Sequence, residues 1–179
     1  MPFADLIART VRDPLTQGNP GEMHRLLDVV DALPQRLRTT PNAVRALLTT
    51  VGFAVREPLL DARHSSVDGE DLLAVIRRGC GIEPDARCVA RLLTPEQRTA
   101  LDERAAAATG LDPGTVAEAL PLLVPIVLKL LDAGSPVRHG DRTPNAILDA
   151  FLGDGGPCPA DVDMGEAVRL LAASLTARR

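Results

Sequence analysis

Thr40-Pro41, Thr94-Pro95, Asp112-Pro113 and Thr143-Pro144 each put a residue that caps helix N-termini directly before a proline. Proline suits the first helical position because the amide it lacks would have no partner there. The Thr or Asp oxygen before it accepts from the amides that follow. Each pair predicts a helix start. Thr94 with Gln97 completes a capping box, and Asp163 with Glu166 is an acidic variant of it. Gly79, Gly110 and Gly153 stand where a helix ends on a left-handed residue.

The segments between these marks carry helical spacing. Met23, Leu26, Leu27, Val30 and Leu33 form one apolar stripe, with Glu22, Arg25, Asp28 and Asp31 opposite. Val44, Leu47, Leu48, Val51 and Val55 form a second, and Met164, Val168, Leu171 and Leu175 a third. Each stripe requires a neighbouring element to cover it. In residues 94–110 Leu101 is the one large aliphatic side chain, so that helix either packs closely through its alanines or is a mobile surface helix. No run alternates apolar and polar residues as a strand does.

Composition points the same way. Apolar residues make up 45% of the chain but aromatics only 2%, so the core is built from Leu, Val, Ala and Ile. Strands favour β-branched and aromatic residues, whereas Leu and Ala favour helices. The expected fold is all-α, a compact multi-helical bundle or array of about seven to nine helices. At 179 residues it forms one domain, 1–179, with two lobes of about 1–93 and 94–179 as the alternative. "TPNAVRALL" at 40–48 echoes "TPNAILDAFL" at 143–152, but the shared part is mostly a helix-start signal.

The net charge of −4 is spread evenly, with no basic stripe to track a phosphate backbone and no aromatic platform for bases. A nucleic-acid partner is not expected. Cys80, Cys88 and Cys158 are odd in number and include no C-x-x-C, and Cys88, one turn before Leu92, reads as a buried inert thiol. The N-terminus "MPFADLIARTVRDP" carries Asp5 inside its apolar run and no preceding positive charge, unlike a secretory signal. The expected compartment is the cytoplasm.

Signatures of common chemistry are absent from the sequence. Lys129 lies between leucines, with no glycine-rich loop before it, and there is no H-E-x-x-H, G-x-S-x-G or G-x-G-x-x-G. His24, His64 and His139 have no short paired spacing with one another or with the cysteines, so no metal site is expected. His24 reads as a solvated side chain. His64, Ser65, Ser66 and Asp68 read as helix-start residues rather than a triad. "DVDMGE" at 161–166 lacks the glycine register and later carboxylate of a calcium loop, so capping is the better account. No catalytic residue and no cofactor are expected.

The most apolar stretch, "LDPGTVAEALPLLVPIVLKLL" at 111–131, holds ten uncharged residues between Glu118 and Lys129. A membrane span needs about 20, so stable insertion is not expected. Apolar residues on every side favour an enclosed core helix. Pro121 and Pro125 each remove a donor and crowd the preceding turn, which predicts a core helix kinked near Pro121 or broken after Ala119.

The segment "TGLDPGTVAEALPLLVPIVLKLL" at 109–131, with Gly110, Leu111, Leu120, Pro121 and Pro125 in place, resembles the signature of the YidB-like bacterial family of unknown function. The resemblance covers about these 23 residues and extends loosely over 94–131. It implies a compact multi-helical fold and carries no activity.

The expected function is therefore non-enzymatic: an adaptor, scaffold or self-assembling protein whose partner is another protein or a second copy of itself. Leu120, Leu123, Ile126 and Val127 are the expected partner-binding residues, in or beside a groove that takes a partner helix. The alternative is a small-molecule-binding protein or an enzyme without a recognised motif. Its site would lie near the loops 132–143 and 153–163, around Arg138, His139, Asp141 and Arg142. Membrane-surface binding lacks the basic face it would require.

Overall fold

Most of the capping residues legible in the sequence close hydrogen bonds in the folded chain. The computed structural model describes residues 2–16, 18, 20–65, 84–137, 145–153 and 162–176. Among them are eight helices and no strand: α1 (Phe3–Thr10), α2 (Pro20–Arg36), α3 (Pro41–Ser65), α4 (Ala86–Leu92), α5 (Pro95–Thr109), α6 (Pro113–Asp132), α7 (Ala146–Leu152) and α8 (Met164–Thr176). The Thr40 hydroxyl accepts from the amide of Ala43 at 3.2 Å, and Asp112 accepts from Thr115 at 3.2 Å. Thr94 and Gln97 form the full reciprocal box. Asp163 accepts from the Glu166 amide at 3.0 Å, while the Glu166 carboxylate pairs forward with Arg169 instead of turning back. Gly110 ends α5 at φ 72, and Gly153 ends α7 at φ 57, both costly for a side-chain-bearing residue. Thr143-Pro144 and Gly79 lie outside the described residues; α7 is capped by Asn145, whose oxygen accepts from Ile147 and Leu148.

One core unites the eight helices. The expected stripes Met23 to Leu33, Val44 to Val55 and Met164 to Leu175 are all buried in it. Helix α3 packs against α5, α6 and α8, while α1 lies on α7 and α8. The first turn of α8 approaches α3 so closely that a Cβ on Gly165 would stand 2.6 Å from the Arg45 carbonyl oxygen, which is why glycine occupies that position. Helix α5 takes the close-packed option: Leu101 and Ala105 are buried and seat it on α3 and α6.

Helix α6 is the centre of the molecule, packed against α3, α4, α5 and α7. By length and composition it is the one helix among the described residues that could cross a membrane, and 67% of its most apolar window is buried inside the fold. The break considered after Ala119 does not occur; one helix runs through both prolines. The disturbance is in its hydrogen bonds. Pro125 offers no amide to the Pro121 carbonyl, and that carbonyl accepts instead from the amide of Asp85, just before α4, at 2.9 Å. Pro121 likewise offers none to the carbonyl of Ala117, an exposed residue. The prolines thus make the side of α6 toward α4 the polar edge of an apolar rod.

Two further polar anchors tie α7 into place. Asn145 donates from Nδ2 to the Leu131 carbonyl at 2.9 Å, holding the start of α7 to the end of α6. The buried Arg56 of α3 donates from Nε to the Phe151 carbonyl at 3.0 Å and from Nη2 to the Leu152 carbonyl at 2.6 Å. A cation there satisfies carbonyls that a helix end leaves open and complements the negative end of its dipole.

Cys88 departs from its expected state. It is buried, at 1% exposure, but it is disulfide-bonded rather than a free thiol, with its partner cysteine outside the described residues. Disulfides persist in oxidising surroundings. Cysteine usage therefore no longer argues for a reducing compartment.

Candidate ligand cleft between three helices

The four residues expected to meet a partner are enclosed by the chain itself. Leu120 is 2% exposed and Leu123, Ile126 and Val127 are fully buried. The physical reason is the position of α6, which has α3, α4, α5 and α7 packed around its apolar faces. Leu120, at the edge toward α4 and α5, borders an opening. Of the alternative site, Arg138, His139, Asp141 and Arg142 lie outside the described residues, as does the loop 154–161. His24 is partly exposed with Nδ1 2.6 Å from the Pro20 carbonyl oxygen, and His64 is exposed. Among the described residues no group of His, Cys, Asp and Glu could hold a metal ion.

The opening beside Leu120 is a cleft of about 440 Å³ between α4, α5 and α6. Its walls follow helical arithmetic. Ala86 and Val89 come from one face of α4; Pro95, Arg98, Thr99 and Asp102 from one face of α5; Ala117, Leu120 and Pro121 from one face of α6. The cleft exists because α5 has little bulk. Beyond Leu101 its inner side buries Ala105, and α4 and α5, each packed on α6, make little contact with each other.

Two charged side chains stand on that wall, one turn apart, without joining. The Nε of Arg98 and the Oδ1 of Asp102 are both buried, and neither has a hydrogen-bond partner. An i,i+4 pair with the base N-terminal to the acid is the less favourable order on a helix, since the charges also oppose the helix dipole. Burial raises the Asp102 carboxyl above its usual range, and the nearby Arg98 charge pulls it partly back. Glu96, exposed at the start of α5, is held below its usual range by a backbone hydrogen bond and by Thr94. Two shielded polar atoms without partners are uncommon in folded proteins, because each lost hydrogen bond costs about 1–3 kcal/mol.

The periodicity of α5 carries a signal for this pair. Arg98, Leu101, Asp102 and Ala105 occupy i, i+3, i+4 and i+7, so the stripe that seats the helix is half charged. A reading confined to large aliphatic residues passes over it.

The fold and the cleft together define an all-helical protein with a donor and an acceptor set into a concave face. The chain matches no family model, and no curated protein or solved structure is similar to it.

Proposed function

We propose that this chain is a non-enzymatic helical binding protein that holds a segment of another protein in the cleft between α4, α5 and α6. The observation that carries this reading is the concave face itself, where the charged residues Arg98 and Asp102 stand among Val89, Pro95, Leu120 and Pro121. A polypeptide segment brings both things such a wall can use: apolar surface, and groups that donate and accept side by side. Kinship with the YidB-like family, proposed from residues 109–131, agrees with an all-helical binding protein and adds no activity. The docking surface moves from the four core residues to the one of them, Leu120, that reaches the cleft.

A photo-crosslinking amino acid placed at exposed Thr99, compared with one at exposed Arg169 on α8, tests the reading in native cells. A protein adduct formed from position 99 and not from 169, and reproduced with the purified partner, supports it. Equal labelling from both positions, or release of a small molecule instead of a protein from the native complex, overturns it.

A further inference from the structure

We draw no further inference here: the strongest candidate, the cleft of about 440 Å³ between α4, α5 and α6, belongs to the site already described, and nothing in the structure shows which chemical group occupies it.

Discussion

The amide of Asp85 donates to the carbonyl of Pro121 at 2.9 Å, and this bond takes the place of the helical one that Pro125 cannot make. A proline that would weaken an isolated helix thereby fixes where α4 attaches to α6. The cleft exists in the angle between them.

Pro125→Ala should therefore loosen α4 while leaving α6 intact. An amide at 125 competes for the Pro121 carbonyl along the helix axis, and the Asp85 amide no longer has that acceptor to itself. Hydrogen exchange followed by NMR should show the Asp85 amide at least about tenfold less protected in the variant, with the amides of 126–132 unchanged.

Leu123 is fully buried at the centre of α6. Leu123→Ala should cost about 2–5 kcal/mol, and Leu123→Asp should not fold, because an unpaired carboxylate in that position cannot be hydrated. Chemical denaturation reads the first and circular dichroism the second. A folded Leu123→Asp protein that has lost a partner would return the docking surface to the 120–127 stretch.

Arg56 holds the carboxyl end of α7 through the Phe151 and Leu152 carbonyls. Arg56→Met should lose about 2–4 kcal/mol, and Arg56→Lys should recover less than half of that, since one ammonium cannot reproduce two donations from a planar fork. At this chain length each kcal/mol appears as about 2–4 °C in the melting temperature.

Asp102 gives stability a defined pH dependence. Its folded carboxyl titrates above the usual range because burial disfavours the charged form. The folded state then holds a proton that the unfolded state has released, so stability contributed at low pH is lost as pH rises through the folded value. Asp102→Asn should remove this decline, making the variant less pH-sensitive than the native chain just above the ordinary carboxylate range. Denaturation midpoints measured across that range check the sign.

The disulfide at Cys88 ties α4 to a partner cysteine outside the described residues. Reduction, or Cys88→Ser, should lower stability by about 2–4 kcal/mol, as removal of a native cross-link does. Mass spectrometry of the intact protein before and after reduction, at a difference of two hydrogens, shows the bond itself.

Local chemistry made much of the fold legible in advance. Thr40, Thr94, Asp112 and Asp163 announce helix starts because a side-chain oxygen and the next few amides suffice to form a cap, without the rest of the molecule. The stripes on α2, α3 and α8 announce buried faces because their period belongs to the helix. The same reasoning placed 111–131 at the core. It did not choose between a kink and a break at Pro121, since that depends on how the carbonyls that the two prolines leave open are met: Ala117 is an exposed residue, and the Pro121 carbonyl accepts from Asp85.

The site was less legible. Leu120, Leu123, Ile126 and Val127 are apolar enough for either a core or an interface, and hydrophobicity alone does not say which; four neighbouring helices do. Arg98 and Asp102 stand on a helix poor in large side chains, where a pattern of aliphatic residues does not single them out. They acquire meaning only where Ala86 and Val89 of α4 and Leu120 of α6 close around them. The sequence by itself determined the helices, their caps and their buried stripes, which arise from contacts within a few residues. Only the tertiary structure decided which carbonyl Asp85 satisfies, which apolar residues are enclosed and which charges line a cleft, because those outcomes depend on what distant segments bring within a few ångströms.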